Sequence, residues 1–347
     1  MKSNLFFSII IPIYNRPDEL DELLASIVKQ KDSPPFEVIV VEDGSTVKCN
    51  SVIEKYQDQL TIQYFFKENS GPGDSRNYGM RKAQGDYFII LDSDTIVPQE
   101  YLKIVDNELN AHYVDAYGGP DMSDENFSVL QKAITYAMTS TLTTGGIRGK
   151  KKQVGKFQPR SFNMGISRKV FEKTGGFQPL RVGEDVDFSI SLWENGFTTR
   201  LFENAKVYHK RRSTLSSFSK QVFQFGAARP IIFQRHPQYK SLMFWFPSVF
   251  LIGSILAFVI FISSFLFQSE NLNWILKIPF QLWCIYLLAN FIAATFQFKS
   301  IIVGALSVMT SLIQLCSYGA GFLLSMFKLN VLNLSPEKAF PSHFYLK

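Results

Sequence analysis

Apolar residues follow two different patterns along this chain. Up to about residue 240 they come in short runs broken by charged and turn-forming residues, whereas between Leu242 and Phe327 charge nearly vanishes. Residues 6–12 (FFSIIIP) are β-branched or aromatic at both alternations, which predicts a strand buried on both faces, as a parallel sheet requires. A helix is predicted over residues 16–31, where Leu20, Leu23, Leu24, Ile27 and Val28 recur at helical spacing and Asp18 stands where a cap could act. Further strands are predicted at 36–41 (FEVIVV), 61–66 and 87–91, with helices at 49–59 and 75–83. This alternation predicts a doubly wound α/β sheet with ligands at the carboxyl ends of the strands. Beyond Pro98 the pattern loosens, with strands expected at 114–118, 162–167 and 199–207 and helices at 125–139 and 186–195.

The second pattern comprises three apolar stretches, 243–267, 274–298 and 301–327. Each reaches the roughly 20 residues that a helix needs to cross hydrocarbon. The chain is therefore expected to divide into an α/β domain (1–215), an interfacial linker (216–241), a transmembrane region of three helices (242–328) and a tail (329–347). In the linker, Phe218, Val222 and Phe225 share one helical face, suited to a membrane surface or to a core. Arg235, His236 and Lys240 before the first stretch, and Lys299 after the second, place the α/β domain in the cytoplasm under the positive-inside bias. Three crossings would then leave the tail on the opposite face. The N-terminus has neither the basic flank nor the long apolar run of a cleavable signal.

Composition narrows the chemistry. Cys49, Cys284 and Cys316 are too scattered for a metal knuckle or a disulfide framework. The net charge of +6 is spread out, its longest cluster lying at 148–156 in a Gly-containing segment, and no nucleic-acid motif accompanies it, so no nucleic-acid partner is expected. The segment Ser70 to Asn77 (SGPGDSRN) couples a tight loop to a helix start and an arginine, but has neither the lysine and spacing of a P-loop nor a dinucleotide-binding glycine fingerprint. Kinase and NAD-dependent chemistry are thereby excluded.

Carboxylates cluster where the predicted strands end. Asp92-Ser93-Asp94 follows the strand YFIIL, where alternate side chains can converge on a hard divalent cation or simply form a solvated turn. Gly183-Glu184-Asp185-Val186-Asp187 precedes a helix; a carboxylate there can act as a general base or serve as an N-terminal cap. Asp43 ends VIVVED and could accept a hydrogen bond from a nucleobase, with Tyr14 stacking on the base, or the two could be a turn residue and a core tyrosine.

Taken in order, PIYNR at 12–16, VVEDGS at 40–45, GPGDSRN at 71–77, LDSD at 91–94 and GEDVD at 183–187 resemble glycosyltransferase family 2, over residues 6–229. The resemblance implies a GT-A fold with a mixed doubly wound sheet, a nucleotide-sugar donor that is most often a UDP-sugar, Mg²⁺ or Mn²⁺, and inversion at the anomeric carbon. By position it implies donor contacts from Pro12, Tyr14, Arg16, Asp43, Gly71, Arg76, Asp92 and Ser93. Asp92 and Asp94 would be metal ligands, and His209 either a further ligand or a structural residue. Asp185 would be the catalytic base, and Asn163, Gly165 and Glu184 would lie on the acceptor side. A Gln-x-x-Arg-Trp segment, found in processive members, is not formed by the stretch from Gln221 to Arg229, which disfavours polymer extrusion.

The expected activity is transfer of a sugar to a membrane-associated acceptor, such as a lipid-linked glycan, at the cytoplasmic membrane by a multi-pass protein. An alternative is transfer of one sugar to polyprenyl phosphate. A non-catalytic membrane scaffold that binds nucleotide sugars is a reading of another class, set against the retention of both Asp94 and Asp185.

Overall fold

The computed structural model describes residues 5–122, 127–145, 156–209, 214–266 and 270–345. In chain order the elements are β1 (Phe7–Ile13), α1 (Pro17–Val28), β2 (Phe36–Asp43), α2 (Asn50–Tyr56), β3 (Ile62–Lys67), α3 (Pro72–Lys82), β4 (Tyr87–Leu91), β5 (Thr95–Ile96), α4 (Tyr101–Ala111), β6 (Ala116–Gly118) and β7 (Asp121–Met122). They continue with α5 (Val129–Thr139), α6 (Thr141–Thr144), β8 (Asn163–Ser167), α7 (Arg168–Thr174), α8 (Glu184–Glu194), β9 (Thr199–Leu201), β10 (Val207–His209), α9 (Leu215–Arg235), α10 (Phe246–Ser264), α11 (Glu270–Phe298), α12 (Ile301–Asn330) and α13 (Pro336–Ala339).

The described residues fall into two compact units, and the division is not contiguous in sequence. One unit is drawn from Met1–Asp124, Gly155–Lys210 and Pro341–Lys347, the other from Glu125–Val154 and Arg211–Phe340.

The first unit is built on a seven-stranded sheet of order β3-β2-β1-β4-β8-β6-β9. β8 runs antiparallel to β4 and β6 while the remaining pairs are parallel, which makes the sheet mixed. Both sheet faces are apolar because helices cover both. Ile9, Ile11 and Ile13 of β1 join Val38, Val40, Ile89 and Leu91 under α1 and α4. Ile10 joins Ile39, Val41, Phe88 and Ile90 against α3, α7 and α8 through Met80, Val170, Phe188 and Leu192. Each such side chain contributes about 1.5–3 kcal/mol by leaving water, so a frame of uninterrupted β-branched runs is strongly held.

Two features part the strands at the carboxyl edge. The chain proceeds outward from β1 to β2 and β3, then crosses back to β4 on the other side of β1, creating a topological switch point. β1 and β4 pair only as far as Ile10↔Ile90, while β1 follows β2 to Ile13↔Glu42. Pro12, buried in β1 and with no N–H to give, falls beyond the last β1–β4 pair.

Several expectations need correcting. Asp18 lies inside the first turn of α1, which starts on Pro17 without a side-chain cap. The strand expected at 199–207 is two strands, because the chain turns at Glu203-Asn204 and β10 enters a separate three-stranded sheet of order β5-β10-β7. Residues 341–345 do not lie away from the catalytic unit but belong to it. Arg181 N–H donates to His343 O at 2.7 Å, Tyr345 N–H donates to Pro179 O at 3.1 Å, and Leu180 and Phe344 form an antiparallel bridge.

In the second unit α5 opens with a capping box between Ser128 and Gln131. α5 buries Ile134, Ala137 and Met138 with Phe218 and Val222 of α9, so that face of α9 is interior. α9 and α12 approach closely: a Cβ at Gly226 would overlap the Tyr318 carbonyl, and one at Gly321 the Phe223 carbonyl. Small residues at helix crossings allow packing that does not depend on the hydrophobic effect. Three helices, Leu242–Ser264, Asn271–Phe298 and Ile301–Asn330, are long and apolar enough to cross a membrane. Val249, Ile255, Phe258, Leu282 and Ile285 are all exposed.

Gly165 of β8 tests the close-packed sheet, since a Cβ there would overlap the ring of Tyr117, itself stacked on Phe202 at 4.5 Å. Gly165→Ala is expected to lower stability by about 1–3 kcal/mol, the usual cost of overpacking, as read by denaturant unfolding in detergent.

Candidate donor and metal site

The loops at the ends of β1 and β2 are tied together by Asn15, which adopts φ 55°. Its side-chain oxygen accepts from Thr46 N–H (2.8 Å) and Val47 N–H (3.0 Å), and its own N–H donates to Ser45 Oγ (2.9 Å). Tyr14, one residue earlier, is left 51% exposed, with its ring open to a stacking partner.

Asp43 is buried at the end of β2. Its carboxylate accepts from Ser70 N–H (2.9 Å), Gly71 N–H (2.8 Å) and the Lys67 ammonium. A carboxylate has about four lone-pair sites, so these three donors leave room for one more. Gly71 has φ 95°, a conformation that favours glycine, and leads through Pro72 into α3.

Arg76 on α3 occupies the centre of the site. It is 3% exposed; one guanidinium nitrogen donates to Asp92 Oδ1 at 2.7 Å and the other to Glu184 Oε1 at 3.3 Å. The guanidinium also lies 5.3 Å from the centre of the Phe177 ring. Asn77 fixes Phe177 from the next position, accepting from its N–H and donating to its carbonyl, both at 2.8 Å. Arg76 thus joins the DSD turn after β4 to the start of α8.

Burial pushes the Glu184 carboxyl up to about 7 from its ordinary 4.5, Arg76 opposing the shift and Asp185 reinforcing it. Asp185, next in α8, accepts from Val186 N–H at 2.8 Å and pairs with Arg160 at 3.4 Å. Gly183, at φ 81°, takes the N-cap position of α8 and offers no side-chain cap, so the first-turn Val186 N–H is met by Asp185 from within the helix instead.

On the other side of the DSD turn, Arg16 makes a two-pronged bond to Glu19 at 2.9 and 3.0 Å. Glu19, with Asp94 adding to it, holds Arg16 firmly protonated. Ser93 Oγ donates to Glu19 at 3.4 Å. The β10–β5 register sets His209 opposite Thr95, the residue after Asp94. Asp92 and Asp94, on either side of Ser93, are hard oxygen donors of the kind Mg²⁺ or Mn²⁺ takes, although among the described residues no group of three His, Cys, Asp or Glu side chains is gathered closely enough to hold a metal ion.

Two expected acceptor-side residues sit elsewhere. Asn163 is fully buried, accepting from the Tyr101 hydroxyl at 2.5 Å and donating to Ala205 O at 2.8 Å; Gly165 is filled against Tyr117. Both shape β8 and neither is open to an acceptor. Conversely, Asn15, Glu19, Lys67 and Asn77 organise the site without having been singled out. Only Asn15 and Asn77 lay within recognisable motifs.

The clamp carries two expected outcomes. Arg76→Ala, by leaving buried acids without their counter-charge, is expected to cost about 3–5 kcal/mol in denaturant unfolding. Because Glu184 holds its proton more tightly when folded, its contribution to stability is full below about 4.5 and is lost as pH rises through about 7. Glu184→Gln should therefore remove a fall in melting temperature across that window, and an unchanged pH slope would refute the assignment.

The profile of glycosyl transferase family 2 matches residues 8–175. An uncharacterized glycosyltransferase of Haemophilus influenzae is 31% identical over 223 residues, covering 60% of this chain and 71% of that protein. The poly(ribitol-phosphate) beta-N-acetylglucosaminyltransferase TarS of Staphylococcus aureus is 37% identical over 113 residues, covering 31% of this chain; the chain spans only 20% of the length of TarS. In fold, the chain is similar to the mannosyltransferase PcManGT from Pyrobaculum calidifontis, solved with GDP-Man and Mn²⁺, at a TM-score of 0.57 and 17% identity over 93% of this chain and 88% of that one. With the mixed sheet, the DSD turn and the GEDVD helix start in place, the chain belongs to glycosyltransferase family 2.

Proposed function

We propose that this transferase takes a sugar from a UDP-sugar, with Mg²⁺ or Mn²⁺, and passes it with inversion to a membrane-associated acceptor. The observation that carries this reading is the buried Arg76 clamp, because it ties the metal-type carboxylates of the DSD turn to the acids of α8 at one edge of the sheet.

Asp92, Asp94 and His209 would hold the cation, which when bound neutralises charge on the diphosphate. The remaining lone-pair site of Asp43 can accept the imide N–H of a uracil, and the exposed Tyr14 ring can stack on it. Arg16 and Ser93, the middle residue of the DSD turn, would face the donor from a shared partner, Glu19, and the Gly71 N–H holds Asp43 in place. Asp185 serves as base: it takes the proton of the acceptor hydroxyl as that oxygen bonds to the anomeric carbon. The bond from that carbon to the diphosphate oxygen breaks, and its electron pair leaves with the nucleoside diphosphate. A single displacement inverts the carbon.

Three long apolar helices with exposed apolar faces support a membrane location, and cations before the first and after the second support a cytoplasmic catalytic unit at the cytoplasmic membrane. A lipid-linked glycan is the acceptor class best suited to such an enzyme, since both partners share the bilayer.

Purified enzyme supplied with radiolabelled UDP-sugars and either a lipid-linked glycan or polyprenyl phosphate is expected to label the glycan. Asp185→Asn should reduce turnover by about 10²–10⁴-fold, the scale of a lost general base, while UDP binding persists. Undiminished turnover would remove Asp185 from that role. Asp94→Ala is expected to weaken Mn²⁺-dependent UDP binding, and an unchanged Mn²⁺ titration would remove Asp94 from the ligand set.

A further inference from the structure

Segment 341–345 reaches the donor site from far along the chain. It pairs antiparallel with residues 179–181, immediately before the Gly183-Glu184-Asp185 turn, through the bonds Arg181 N–H to His343 O (2.7 Å) and Tyr345 N–H to Pro179 O (3.1 Å). His343 is buried to 2% exposure, anchoring the segment. Tyr345 follows, with its ring against Gly71: a Cβ at Gly71 would overlap three ring carbons of Tyr345. Gly71 is the residue whose N–H holds Asp43. The Arg181 guanidinium lies 5.7 Å from the centre of the Tyr345 ring. Burial raises the Tyr345 hydroxyl above its ordinary range, and the charges of Arg181, Glu184, Asp43 and Arg76 all act on it. With its ring on Gly71 and its N–H on Pro179, Tyr345 stands between the Asp43 loop and the segment that leads into α8.

We propose that Tyr345 is a donor-binding residue, an aromatic wall that segment 341–345 adds to the nucleotide pocket on the Gly71 side. The inference rests on the donor-site reading above and extends it to a segment outside the region matched by the family profile. Three features distinguish a wall from a loose plug. The segment is fixed by main-chain pairing and a buried histidine. Its ring is only partly covered, leaving surface for a stacked base. The glycine under the ring has no side chain to hold the ring away from Asp43. A planar base next to Asp43 would gain stacking from the ring, which is sequence-tolerant and worth about a tenfold change in affinity or more when removed from other nucleotide sites.

The test is UDP affinity of the full-length enzyme in detergent with Mn²⁺, measured by calorimetry. Tyr345→Ala is expected to raise the UDP Kd about tenfold at an unchanged melting temperature, and Tyr345→Phe, which keeps the ring, to restore it. In the unsubstituted enzyme, UDP should slow amide exchange across residues 341–345, a readout independent of how any variant folds. Equal or tighter UDP binding by Tyr345→Ala, or exchange in 341–345 that UDP leaves untouched, overturns the proposal while leaving the donor site standing. Failure of the unsubstituted enzyme to bind either UDP or GDP would overturn the donor-site reading itself, and the wall with it.

Discussion

A guanidinium stripped of water must be met by negative charge, because an uncompensated buried ion costs several kcal/mol. Arg76 meets that demand with two carboxylates from different parts of the chain, Asp92 after β4 and Glu184 at the start of α8. The requirement fixes α3 relative to both, and Asn77 repeats it at the next position by gripping the main chain of Phe177 from both sides. The same helix begins at Gly71 and Pro72, next to Asp43. One eleven-residue helix therefore references the Asp43 loop, the DSD turn and the start of α8 to a single rigid element. Electrostatic catalysis depends on groups held in place before reaction, and this helix supplies the holding.

The frame was readable in the residue pattern because its strands are buried on both faces. FFSIIIP, FEVIVV and YFIIL have no polar side to confuse their period, and the acids that follow them fall at strand ends. Positions in the middle of β8 were harder. Asn163 and Gly165 have the residue types of a ligand-binding segment, yet alternation along a buried strand turns both into the packing around Tyr101 and Tyr117. The interruption between β9 and β10 depends on a turn at Glu203-Asn204 that local propensity alone does not demand, since strand-formers lie on either side. Lys67, which pairs with Asp43, carried no local mark because its role depends on the β2–β3 register, Asp43↔Lys67.

The helical unit follows different rules. Its outward faces are apolar, while its inner contacts use Gly226, Gly321 and hydroxyl groups such as Thr310, whose Oγ1 donates to the Ala133 carbonyl at 2.9 Å, and Ser219, 3.0 Å from Ser317. Hydropathy marks the long helices but not α5, which lies in the middle of the catalytic sequence and still belongs to this unit. Nothing in a window of local sequence encodes that membership, because it is decided by side chains of α9 and α12 far along the chain.

The return of residues 341–345 to the sheet-bearing unit has a topological consequence. A polypeptide that leaves an aqueous compartment and later rejoins a body in the same compartment must pierce any intervening bilayer an even number of times. Three helices of spanning length lie between Arg211 and Phe340. Helix length and hydropathy alone therefore do not fix a count of crossings, because the pairing of residues 341–345 with residues 179–181 is a constraint that neither quantity contains.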